Sequence, residues 1–198
     1  MPYAIARNAR LTATVTVLLA GLIGLTNVPR AEAWELNPQA SRLALIGTAD
    51  RREAVTRVED LEIDIDGDLD EPTEGHLVLT LKSRSISAGN DIVDSMLHGR
   101  HWFEVDRYPE IVFRSRDIQA PAEGEWRIVG ELGLRGERYP LTVPVAWTRE
   151  DDRLRVSGRL TLDRTDYDMG RGVWRSEGTV KHAVQVEFDL ELLAPAGS

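Results

Sequence analysis

A chain of 198 residues with 42% apolar and 29% charged side chains suits one globular domain with a real core, not disorder or a multidomain assembly. The formal net charge of −9 sets it against nucleic acid and anionic lipid surfaces, which repel an acidic domain. The chain contains no cysteine, which excludes disulfides, thiolate chemistry and lipoprotein-type anchoring, so stability must come from an apolar core and backbone hydrogen bonds.

Arg7 and Arg10 give a basic start, residues 11–25 carry no charge, and Ala31-Glu32-Ala33 places small residues where a signal peptidase reads them. This predicts a leader over residues 1–33 cut after Ala33, and a periplasmic or secreted domain over 34–198. The alternative is an uncleaved anchor, because the uncharged run to Pro29 approaches the roughly 20 residues that span a bilayer. Without Arg7, Arg10, Arg30 and Glu32 the rest holds 21 Lys and Arg against 32 Asp and Glu, a net −11. Such a domain is expected not to insert stably into a membrane once the leader is gone, and any lipid it handles should enter a protected interior.

After a first strand at residues 42–46, apolar and polar residues alternate with period two, the mark of half-buried strands. Leu61, Ile63 and Ile65 are followed, beyond a turn at 72–75, by Leu77, Leu79 and Leu81. The rhythm breaks at residues 90–98, where Ile92, Val93, Met96 and Leu97 have helical spacing and Asn90 or Asp91 can cap a short helix. A long aromatic-rich connection, residues 101–109, follows, and a loop of this length is more often a lid or binding element than a passive link. Strands resume at 111–116, then at Trp126, Ile128, Leu132 and Leu134, at Leu141, Val143, Val145 and Trp147, at Leu154, Val156, Leu160 and Leu162, and finally from Val180 to Leu190.

The total is about eight strands joined by Gly-, Pro- and Asp-rich turns, a pattern that fits a closed antiparallel barrel or a sandwich. An eight-stranded barrel is just wide enough to be filled by side chains or to hold one small ligand. Gly130 and Gly158 fall on inward faces, where they leave room for a ligand or mark a bulge.

The stretch Ser85-Ile86-Ser87, Met96-Leu97, Trp102-Phe103-Glu104-Val105 and residues 108–115 resembles the YceI-like family. Residues 130–136 and 162–170 are similar to two further signatures of that family, in the same order, and the closing alternation matches too. The resemblance implies an exported bacterial protein with a lipocalin-like β-barrel, carrying a short helix and a long loop between strands, that binds polyisoprenoid or related amphiphilic lipids. Residues 47–60 depart from the family pattern by offering Asp50-Arg51-Arg52-Glu53 where a Gly-x-Phe segment is expected, and His182 stands where a small polar or acidic residue is usual.

Burying about ten methylenes in such an interior gains on the order of 8 kcal/mol before ordering costs are subtracted. The residues expected to touch the ligand or gate its mouth are Trp102, Phe103, Tyr108, Ile111, Phe113, Leu132, Leu134, Tyr167 and Met169, with Ile92 and Met96 joining them if the helix leans inward. No cofactor is expected beyond this isoprenoid, quinone or acyl ligand, and a homodimer is left open.

Catalytic and metal readings are weaker. His98-x-x-His101 has no third ligand nearby, and His182 reads as a hydrogen-bonded rim residue. Asp163, Asp166 and Asp168 lack the spacing of a calcium loop and read as a turn with Arg164 as an ion-pair partner. No nucleophile elbow, zinc-protease helix or phosphate-cradling loop occurs, so the chain is expected not to be an enzyme. The competing readings are an enzyme acting on an amphiphile and a ligandless envelope stress or scaffold protein that binds a partner through residues 98–110. The second requires Trp102 to be exposed.

Overall fold

A computed structural model describes residues 34–67, 73 and 75–194. The leader read at residues 1–33, and residues 72 and 74 of the turn read at 72–75, lie outside the described residues.

The chain forms β1 (Glu35–Leu36), β2 (Arg42–Ala49), β3 (Arg52–Val58), β4 (Leu61–Asp66), β5 (His76–Lys82) and β6 (Ile86–Ser87). Helix α1 (Asp91–His98) follows, then β7 (Glu110–Ala122), β8 (Glu125–Leu134), β9 (Glu137–Glu150), β10 (Arg153–Asp163) and β11 (Ala183–Leu193). All pairings are antiparallel, in the order β4-β5-β7-β8-β9-β10-β11-β2-β3-β6, with β1 added on β11.

The two ends of that order are joined by the chain itself, because β3 runs into β4 and β5 runs into β6. At the bend Ser85 ties the two together: its hydroxyl accepts from the Asp60 N–H, and its carbonyl accepts from the Glu59 N–H. The eleven strands among the described residues therefore form eight staves of a barrel plus the two-residue β1, which accounts for the difference from the eight expected.

Strand β3 was not legible in the sequence. The charged quartet at 50–53 spans a two-residue hairpin turn, Asp50 and Arg51, both left-handed at φ 48° and 63°, and the start of β3, which turns Arg52, Glu53 and Arg57 to solvent. The last strand starts at Ala183, and Val180 makes only an isolated bridge to Ala49.

Helix α1 starts where Asn90 Oδ1 accepts from the Ile92 and Val93 N–H groups, leaving that cap to Asn90 rather than Asp91. Asp94 fixes the helix to β6 by accepting from the Ser87 hydroxyl at 2.7 Å and the Ala88 N–H at 2.6 Å. No helix among the described residues is long and apolar enough to cross a membrane.

The interior has two centres. Leu43, Val58, Ile86, Leu97, Trp102, Phe103, Val105, Ile111, Leu134 and Met169 pack together beneath α1 and the 99–109 loop. Ile65, Phe113, Ile118, Trp126, Ile128, Val145, Leu154, Val156, Leu190 and Leu192 form the other.

Candidate functional site

Inward residues of the strands surround a cavity of about 350 Å³ that touches both clusters. That volume lies within the range of small-molecule sites. The wall is almost wholly hydrocarbon, with Leu79, Val143, Leu160, Val184, Val186 and Phe188 contributing from four different strands.

Of the residues expected from sequence, Met96, Trp102, Phe103, Ile111, Phe113, Leu132, Leu134, Tyr167 and Met169 lie on this wall. Ile92 does not: it is 83% exposed. The helix buries the stripe Val93, Met96 and Leu97, and one residue of helical rotation, about 100°, carries Ile92 round to solvent. Tyr108 is also off the wall. The chain turns back at Glu104, whose carbonyl accepts from the Arg107 and Tyr108 N–H groups, so the Tyr108 ring covers Gly136 and carries the Arg107 guanidinium 5.2 Å from its centre.

Gly130 and Gly158 do face inward, but their missing side chains serve the barrel wall. A Cβ on Gly130 would stand 2.7 Å from the Phe113 ring, and one on Gly158 would stand 2.4 Å from the Phe188 ring. Next to Gly130 the β7–β8 register slips between Ser115 and Asp117, the bulge that the sequence left open as an alternative.

Two arginines seal the α1 end: Arg135, which the sequence reading did not single out, and Arg164, expected there only as an ion-pair partner of nearby acids. Arg135 is left-handed (φ 53°) in the β8–β9 turn, followed by Gly136 at φ 82°, and its side chain turns inward. It donates to the carbonyls of Trp102 and Arg100 and to the Glu104 carboxylate, which pins the 99–109 loop. Arg164 donates to the carbonyls of Lys181, Met169, Trp174 and Val180 and lies 5.5 Å from the Trp102 ring centre. Burial holds its pKa below the usual arginine value.

Arg164 therefore does not pair with the acids around it. Asp163 instead accepts from the Thr165 N–H and hydroxyl, and Asp168 pairs with Arg171. The only sequence signal for either arginine was a charged residue inside an apolar signature, and nothing local says that it points inward.

Two of the histidines are held by backbone carbonyls. His98 Nε2 lies 2.8 Å from the Ile86 carbonyl, and His182 Nε2 lies 2.9 Å from that of Arg175, so each of these nitrogens donates its proton. His182 is hydrogen-bonded, as expected of it, and its backbone N–H also donates to Glu177.

The YceI-like domain family matches residues 34–192. Three solved structures share the fold. BcnA of Burkholderia cenocepacia has a TM-score of 0.75 at 20% identity, covering 79% of this chain and 99% of its own. A polyisoprenoid binding domain from Saccharophagus degradans has 0.67 at 19% identity, covering 82% and 99%. The YceI protein of Campylobacter jejuni has 0.62 at 18% identity, covering 72% and 85%. Among curated proteins, none matches the chain by sequence.

Proposed function

The chain belongs to the YceI-like domain family, and from that premise we propose that it binds one apolar chain lipid inside the barrel and carries or sequesters it away from water. A polyisoprenoid, an isoprenoid quinone or a fatty-acid derivative has the required chemistry. The observation that carries this reading is the hydrocarbon-walled cavity of about 350 Å³. An unfilled hydrocarbon-walled cavity forgoes the van der Waals contacts that a packed core would make. A solid core would be cheaper to build, and a chain lipid recovers that loss. The similar domain from Saccharophagus degradans, described as polyisoprenoid binding, supports the same class of ligand.

The proposal includes export to the periplasm or beyond, resting on the basic start, uncharged run and Ala31-Glu32-Ala33 of the sequence. It also assigns binding rather than catalysis, because the ring nitrogens of His98 and His182 that reach carbonyls are spent on them. A scaffold that used the 98–110 loop to hold a partner would need Trp102 outside; at 7% exposure, on the cavity wall, it favours the lipid.

Native mass spectrometry of the purified protein, followed by organic extraction, tests the reading. A stoichiometric isoprenoid or acyl species is the expected result. A bare mass that persists after incubation with quinones and polyprenols would overturn it.

A further inference from the structure

The ladder of the barrel has a gap between β9 and β10. β8 and β9 are paired from Glu125↔Ala146 to Leu134↔Glu137, and β10 and β11 from Arg153↔Leu193 to Asp163↔Ala183. Between β9 and β10, pairing runs only from Arg153↔Glu150 to Ser157↔Ala146. Past that point residues 137–145 and 158–163 continue as strands without pairing to each other.

The sequence explains the split. Pro140 and Pro144 bring no N–H to the edge of β9. At the branch point the Pro144 carbonyl would stand 2.4 Å from any Cβ on Gly158, so the strands touch there through a glycine and then part. On the two lips Leu141, Val143, Leu160 and Leu162 are cavity wall, while Thr142 and Thr161 are exposed. At the wide end the Tyr139 and Tyr167 rings meet with centres 4.9 Å apart, one from β9 and one from the turn after β10.

The alternatives are costlier to open. The α1 end is pinned by Arg135 and Arg164, and the opposite cluster holds the stacked Trp126 and Trp147 rings, 5.2 Å apart, with Leu154 and Leu192 almost fully buried. Parting two tyrosine rings breaks no strand pairing and exposes no buried charge.

We propose that this seam is a lateral entrance through which the apolar chain slides sideways into the cavity, with the Tyr139–Tyr167 contact as its gate. The proposal rests on the lipid-binding reading above.

The chain has no cysteine, which makes the test direct. Continuing the register of Ser157↔Ala146 sets Thr161 opposite Thr142 across the seam. The Thr142→Cys/Thr161→Cys protein, bridged with bismaleimidoethane, is compared with a Glu62→Cys/Thr80→Cys bridge across the paired β4 and β5. Uptake and release of cis-parinaric acid are followed by stopped-flow fluorescence.

Bridging the seam should slow both rates by about tenfold or more and leave the affinity nearly unchanged, since a barrier is raised and no contact is lost. The control bridge should change neither rate. Tyr139→Leu, which needs no bridge, should speed both. Unchanged rates after seam bridging, with affinity intact, would overturn the lateral route alone. Failure of the unbridged parent to take up the probe would overturn the lipid reading and this proposal with it.

Discussion

Gly130 and Gly158 each lie under a phenylalanine ring and against a strand carbonyl, which leaves no room for a side chain. A Cβ on Gly130 would come within 2.2 Å of the Arg114 carbonyl, and one on Gly158 within 2.4 Å of the Pro144 carbonyl, so strand backbone rather than a flexible side chain must give way. Gly130→Ala and Gly158→Ala should each cost about 1–3 kcal/mol, the usual penalty of overpacking, read as a lower urea midpoint. Gly47→Ala is the contrast: nothing lies within 4 Å of its Cβ and its φ is not left-handed, so it should be neutral or gain a few tenths of a kcal/mol. The sequence placed both glycines on inward faces but could not say why, because the covering rings come from neighbouring strands whose register no local pattern reveals. Arg135 follows the same logic. Arg135→Met strands the carbonyls of Trp102 and Arg100 and leaves Glu104 with only the more distant, exposed Arg107, a loss of about 3 kcal/mol. That loss should also appear as faster amide exchange in residues 99–109.

At the scale of elements, alternation was readable wherever one face of a strand is apolar, as in β4, β5, β8 and β10. It failed for β3, whose exposed Arg52, Glu53 and Ala54 give no alternation until Val55, and for the two-residue β1 and β6. The helix was readable from spacing and a capping residue, yet its rotation was not, and Ile92 was misplaced for that reason. What holds α1 is Asp94. Its hydrogen bonds to Ser87 and Ala88, aided by the nearby His98, keep its pKa below the ordinary carboxylate value. A carboxylate with a lowered folded pKa contributes stability that is fully present above its unfolded pKa of about 3.9 and is lost as pH falls through the folded value. Asp94→Asn should therefore be less stable than the parent near neutral pH. The gap between their urea midpoints should close as the pH drops below the ordinary carboxylate range. A gap that stays constant into acid would mean that the helix is held by packing of Val93, Met96 and Leu97 and not by this charge.

For the whole molecule, much of the cavity wall was foreshadowed by alternation, whereas the seals were not. Apolar residues at every second position of the strands announce an interior, but whether that interior is solid or hollow depends on how far apart the staves stand. A closed end depends on side chains such as Arg164 that reach across loops distant in sequence. The hollow barrel has a thermodynamic consequence. Filling the cavity restores contacts that only the folded state can make, so a ligand binds the native barrel and not the unfolded chain, and stability rises with free ligand as RT ln(1 + [L]/Kd). At a hundredfold excess over Kd the gain is about 2.7 kcal/mol, which for a domain of this size raises Tm by several degrees. A long-chain polyprenol or fatty acid should produce that shift and alter the emission of Trp102 on the cavity wall, whereas a short-chain analogue, with fewer methylenes to bury, should produce much less. Equal shifts from long and short chains would mean that binding does not follow the length of chain buried, and would move the ligand from the barrel interior to a surface.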